Sequence, residues 1–300
     1  MGRMQCTQPQ QLAGRSYRQF AAWANLMNMK RLSMNHLRRI FGAAALLLLA
    51  LGCAPPAFAQ DNTIDAIKKR GKLQVGFGSF VPWAMRDKQG GWVGFEIDVS
   101  TKVAKDMGVE LDLIPIAFDA IIPSLIANKF DVIVGGLTIT PIRQEQIDFT
   151  VPYSNSGYGM AASKPLAAKM KFPDDYNNAS ITFACRRGTA ACKLIEEKWP
   201  KASLRQFDDD AIAFQEVING NAHAVVSAEP KPTFFSLKNS DKLFKPASAN
   251  LSASVEGFGV RKGSPATLVY FNDWIGKNKD WLAQRHTYWF KTQDWAGLIP

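Results

Sequence analysis

Between Lys72 and Val260, short β-branched and apolar runs alternate with segments whose apolar residues recur at helical spacing. That alternation predicts strands joined by helices, and so a parallel-rich α/β fold. Thr63 can cap a helix over Ile64 to Arg70 that ends at Gly71, and Lys72 to Gly76 reads as a strand. Glu96 to Met107 reads as a helix with Val99, Val103 and Met107 on one face, stopped by Gly108. Val109 to Ile116 alternates as a strand, and Asp119 is expected to cap the next helix. Asp131-Val132-Ile133-Val134 then forms a buried strand running into Gly135-Gly136.

A second set follows. Strands are expected at Ile181 to Ala184, Leu204 to Phe207 and Ala224 to Ser227, with helices over Ala191 to Trp199, Ala211 to Asn219 and Lys231 to Leu237. The pattern breaks into Ser-Asn-Ser-Gly between Tyr153 and Tyr158, and again into small polar residues from Lys245 to Ser254. Val255 to Arg261 reads as a return strand, and Leu268 to Trp295 as a helical tail unusually rich in aromatics. Two α/β sets with two loose crossings predict a hinged pair of lobes, the first over 60–156 plus 254–300 and the second over 157–253. A chain of 300 residues is consistent with that count, since single domains typically run about 100–200 residues. Clefts between such lobes are where ligands bind and closure occurs.

Residues 1–59 stand apart. They hold seven basic side chains and no acidic one; without them 29 basic residues face 26 acidic ones, and a net charge of +10 falls to +3. The basic pI therefore gives no support to a polyanionic partner. Arg38 and Arg39, the apolar run Ile40 to Leu51 and the small-residue site Ala57-Phe58-Ala59 have the anatomy of a cleaved secretory leader. Met29 or Met34 would give that leader a more usual length. Ala50-Leu51-Gly52-Cys53 resembles a lipid-anchoring site at Cys53, but it has Ala50 where a Leu is preferred, so release after Ala59 into the periplasm is the expectation. Export leaves Cys185 and Cys192 in an oxidising compartment. A bridge between them and two separate small buried residues both fit the sequence. No Cys/His cluster has zinc spacing, and no metal or cofactor is expected.

The block from Asp131 to Arg143 carries the most chemistry. Gly135 and Gly136 let backbone approach a ligand closely. Thr138 and Thr140 offer hydroxyls and amides just past the strand's carboxyl end, where open α/β sheets place ligands. Arg143 adds a planar fork suited to bidentate carboxylate binding. A cation at a helix start is mildly unfavourable, which argues that Arg143 has a specific partner.

Several blocks occur in a shared order: Gly71-Lys72-Leu73; Phe80-Val81-Pro82-Trp83; Gly94-Phe95-Glu96-Ile97-Asp98; Phe118 to Leu125; Gly136 to Arg143; Ile147 to Tyr153; Arg187-Gly188-Thr189-Ala190; Ala224 to Pro230; and Gly257 to Gly263. Together they resemble the family 3 extracellular solute-binding proteins of ABC importers, most of which carry polar amino acids. The resemblance implies a two-lobed periplasmic-binding-protein-like α/β fold, its lobes joined by a two-strand hinge. It also implies a small carboxylate-bearing ligand, a membrane permease as partner, a monomeric state and no enzymatic activity. Arg143 would pair with the ligand carboxylate, with added donors from Thr138 and from the amide after Gly188-Thr189. Phe80 and Phe118 would sandwich the ligand, and Trp83 would line the entrance.

Two positions depart from the family. Ala228 stands where amino-acid binders place the Asp that pairs with the α-ammonium, with Glu229 one residue later. Ala190 replaces a hydroxyl. Phe77 further occupies a place where binders of basic amino acids carry an acid. The expectation is a rather apolar pocket whose ligand lacks a free α-amino group, or an amino acid whose ammonium meets Glu229. Two rival readings use the same fold. One is a periplasmic cyclohexadienyl dehydratase with a cleft carboxyl as general acid, for which Glu229 and Glu96 are the candidates. The other is a ligand sensor docking on a membrane partner. Gly90-Gly91-Trp92-Val93-Gly94 lacks the strand-before, helix-after context of a nucleotide loop.

Overall fold

The computed structural model describes residues 63–298. The expected leader and cleavage site, with Cys53, lie outside the described residues. Two sheets organise the chain. In the first, β1 (Lys72–Phe77) lies between β4 (Glu110–Pro115) and β5 (Val132–Ile133), parallel to both. β13 (Gly259–Val260) runs antiparallel beside β5 and carries β6 (Asp148–Phe149) at the edge. The adjacent residues Val132 and Ile133, which point to opposite faces, are both buried, as a strand covered on both faces requires.

In the second sheet, β8 (Thr182–Arg186) is parallel to β9 (Ser203–Phe207) and to β10 (Ala224–Ala228). β7 (Ser154–Ser163) runs antiparallel to β10 and pairs with both β11 (Leu243–Phe244) and β12 (Ser252–Glu256). A small two-stranded ribbon, Met85–Arg86 with Trp92–Val93, completes the strands.

The Ser-Asn-Ser-Gly stretch, expected to break the pattern, is instead the start of the ten-residue β7. Its residues have poor strand propensity, but β12 pairs with them from Ser154↔Glu256 to Tyr158↔Ser252. Paired backbone outweighs propensity here. Asp119 does not cap a helix: the chain enters Ile121–Ile126 through a 3₁₀ turn over Phe118–Ala120, and no side chain caps the start. The aromatic tail divides at Asn278 into helices Pro265–Lys277 and Lys279–Lys291. Trp274, Trp289, Phe290 and Trp295 are buried in the first core. Two of their indoles are tied to carboxylates of helix Phe95–Met107: Trp289 Nε1 donates to Asp98 at 2.6 Å, and Trp274 Nε1 to Asp106 at 2.8 Å. The tail thus clamps the first sheet with rings that bury area and still satisfy their N–H groups.

Candidate functional site

The carboxyl ends of β1, β5, β8 and β10 converge on a small cavity of about 40 Å³, room for only a few waters. It is lined by eight of the residues singled out from sequence: Phe80, Trp83, Phe118, Gly135, Gly136, Thr138, Thr189 and Ala228. Arg143 and Ala190 line an adjoining open groove of about 830 Å³. Thr138, Tyr158 and Thr189 line both spaces and form the partition between them.

Gly136 has a φ of 62°, and a side chain there would press 2.8 Å from the Trp83 ring. That close approach is why a glycine ends the β5 segment. Its N–H donates to the Tyr153 hydroxyl at 3.2 Å, and that hydroxyl donates to Glu96 at 2.6 Å. Glu96 is fully buried, and burial is the main reason its carboxyl is pushed up to about 8, although the Tyr153 hydrogen bond opposes the shift. Trp83 is 2% exposed and packs against Phe95 and Phe290. It belongs as much to the core as to the cavity wall.

Arg143 is 8% exposed. Its Nη1 donates to the Thr138 carbonyl at 2.7 Å and its Nη2 to the Gly188 carbonyl at 3.1 Å, so one guanidinium touches the segments that follow β5 and β8. Burial lowers its pKa, and it stays charged at physiological pH. Its hold on two carbonyls answers the sequence argument that this cation needs a partner. Thr138 Oγ1 shares a hydrogen bond of 2.9 Å with the Tyr158 hydroxyl. Thr189 Oγ1 donates to the Arg186 carbonyl at 2.7 Å. Cys185 and Cys192 form a disulfide with a Cα separation of 5.6 Å, closing the loop that carries Arg186, Gly188 and Thr189.

Glu229 lines neither space. Its carboxylate accepts from Lys245 Nζ and from Thr233 Oγ1, each at 2.8 Å, so an ammonium in the cavity has no path to it. Phe77 is also turned away, buried edge-on against Trp92.

The cavity surface is mainly apolar, but it carries more charge than the sequence suggested. Five charged or polar residues missed in the sequence face the cavity: Tyr158, Arg186, Asp210, Ser227 and Glu256. Asp210 lies 2.5 Å from the buried Lys231 ammonium and accepts from Ser227 at 2.8 Å. Glu256 accepts from Ser154, Ser156 and Ser254, at 2.7, 2.8 and 2.8 Å, and burial raises its pKa against those three donors. Arg186 and Asp210 do have a legible signal: each sits at or just past a strand's carboxyl end, the position that made Thr138 a candidate.

The sequence profile of the bacterial extracellular solute-binding proteins, family 3, matches residues 73–292. The L-cystine-binding protein TcyJ of Escherichia coli K12 is 28% identical over 249 residues, 82% of this chain and 92% of that protein. The cyclohexadienyl dehydratase of Pseudomonas aeruginosa is 25% identical over 184 residues, 61% of this chain and 69% of that protein. The crystal structure of the ancestral amino acid-binding protein AncCDT-1, a precursor of cyclohexadienyl dehydratase, superposes with a TM-score of 0.70 at 34% identity, covering 76% of this chain and 99% of that one. These neighbours share the two-lobed α/β architecture.

Proposed function

The chain belongs to the bacterial extracellular solute-binding proteins, family 3, and from that premise we propose that it is the periplasmic capture component of an ABC importer, closing around a small carboxylate-bearing solute. The observation that carries this reading is Arg143, a buried guanidinium hydrogen-bonded to both the Thr138 and the Gly188 carbonyl. Two of its five N–H donors are used in those contacts, and the fork geometry suits a carboxylate arriving between the walls. A ligand touched by both walls favours the closed form by its differential affinity, and that closed form is what a permease would read. The cavity is smaller than an amino acid, so the lobes must part to admit one. Calorimetric titration with common L-amino acids and their 2-oxo and 2-hydroxy counterparts tests the reading. Micromolar or tighter binding of at least one is expected. Failure of every small carboxylate to bind would sink it.

The dehydratase reading keeps one specific support. Glu256 is a buried carboxyl of raised pKa at the cavity wall, the property a general acid needs. Glu96 does not line the cavity and accepts from Tyr153, and Glu229 is engaged elsewhere. Three serine donors hold Glu256 in the hydrogen-bond pattern of a carboxylate, which favours binding over catalysis. An assay for turnover of prephenate or arogenate decides between them, and no turnover is expected.

A further inference from the structure

Arg186 ends β8 and faces the cavity from the wall opposite Arg143's segment. It is 5% exposed, its Nε has no hydrogen-bond partner, and its Nη1 donates only to a backbone carbonyl, that of Ser79 at 2.9 Å. A guanidinium this buried, with an unsatisfied donor and no carboxylate in contact, is costly unless something else meets it. The fold nonetheless makes room for it. A side chain at Gly78 would come within 2.9 Å of Arg186 Nη2, so the glycine on the facing wall leaves the guanidinium its place.

No carboxylate is in contact with Arg186; the charges of Asp210, Asp209 and Asp119 reach it only from beyond ion-pair distance. The acids lining the cavity are Asp210 and Glu256. Asp210 is paired with Lys231, and Glu256 is filled by three serine hydroxyls. Both arginines lie near the Phe118 ring: the Arg186 guanidinium carbon is 4.9 Å from its centre and that of Arg143 is 5.7 Å away. The two cations are therefore no further apart than the sum of those distances. Each flanks a different space, Arg186 the cavity and Arg143 the groove, with the Thr138–Tyr158 pair between them.

Building on the proposed carboxylate capture by Arg143, we propose that Arg186 is the specificity-determining residue of the site and that the ligand is a short dicarboxylate, one acid group held by each arginine beside Phe118. A cationic ligand side chain would meet Arg186 directly and is excluded. A neutral one would leave the guanidinium buried without a carboxylate in contact and is disfavoured.

The test titrates the full chain with L-glutamate, L-aspartate, glutarate and 2-oxoglutarate, and with the single-acid controls L-glutamine, L-arginine and 2-oxovalerate. Wild type should bind at least one diacid about tenfold or more tighter than its single-acid analogue, the worth of one charge-assisted hydrogen-bonded pair. Arg186→Gln should abolish that preference while retaining weak binding of single acids, and Arg186→Lys should restore part of it. Wild-type preference for a neutral or cationic single acid would overturn the inference, and so would undiminished diacid affinity in Arg186→Gln. If the Arg186 variants fail to fold by circular dichroism, the wild-type ligand order alone decides. Arg143→Ala separates the two levels. If it binds every ligand like wild type, the capture reading itself fails. If it loses all binding while Arg186→Gln changes nothing, only the diacid inference falls.

Discussion

The wall of the cleft that grows from the first sheet and the wall that grows from the second are assembled in different ways. On the first, glycine backbone, the Thr138 hydroxyl and the Arg143 fork all come from one continuous stretch, Gly135 to Arg143, laid out by β5 and the turn after it. On the second, Arg186 comes from the end of β8, Asp210 from the start of a helix, and Ala228 from the end of β10. Their chemistry exists only once three parallel strand ends are side by side. The first wall offers one cation and many neutral donors. The second holds a packed arrangement of Arg186, Asp210 and Lys231, with Lys231 lying 5.3 Å from the centre of the Phe80 ring that faces it. On the proposed reading, the first wall would receive a carboxylate and the second would select among carboxylate-bearing molecules.

The largest way to break the second wall is Lys231→Met. Both partners of the Asp210–Lys231 pair are 3% exposed, so the change strands a buried carboxylate. It should cost about 3–5 kcal/mol of stability in urea unfolding, and Asp210→Asn combined with it should recover most of that loss. On the first wall, Arg143→Ala should leave folding intact and weaken binding by at least about 2–3 kcal/mol in calorimetry. Removing the disulfide with Cys185→Ser and Cys192→Ser should cost about 2 kcal/mol of stability, because the loop it closes is short. It should also loosen Arg186 more than Arg143, seen as a larger loss for the tightest ligand than for weak ones.

A pH-dependent effect lies beneath the first wall. Glu96 titrates near 8 in the fold against an ordinary 4.5, so its protonated form is the one the fold favours. Its contribution to stability is fully present below about 4.5, declines as pH rises and is lost once pH has passed about 8. Glu96→Gln should therefore gain on wild type in thermal unfolding at pH 9 relative to pH 5. A constant difference between the two pH values would show that Glu96 is already ionised. Glu256 and Asp131, also raised by burial, keep a residual slope of the same sign in both proteins.

What could be read from the residues follows the same division. The strand–helix alternation, the glycine pair and Arg143 lie within short windows, where period and residue type are enough. The N-terminal half of β7 could not be read, because Ser154 to Tyr158 become a strand only through pairing with residues about a hundred positions away. Glu229 was a fair candidate by position, but Lys245 and Thr233 claim it, and that contact depends on how a helix docks.

The sequence by itself determined the two α/β sets and the placement of the glycine pair and Arg143 just past a strand end, since each of these rests on local pattern. Only the tertiary structure decided the charge of the cavity. Whether Arg186 stands unpaired in the cleft, and whether Asp210 is already spent on Lys231, depends on distances of a few ångströms between elements far apart in the chain, and buried electrostatics follows those distances rather than residue order.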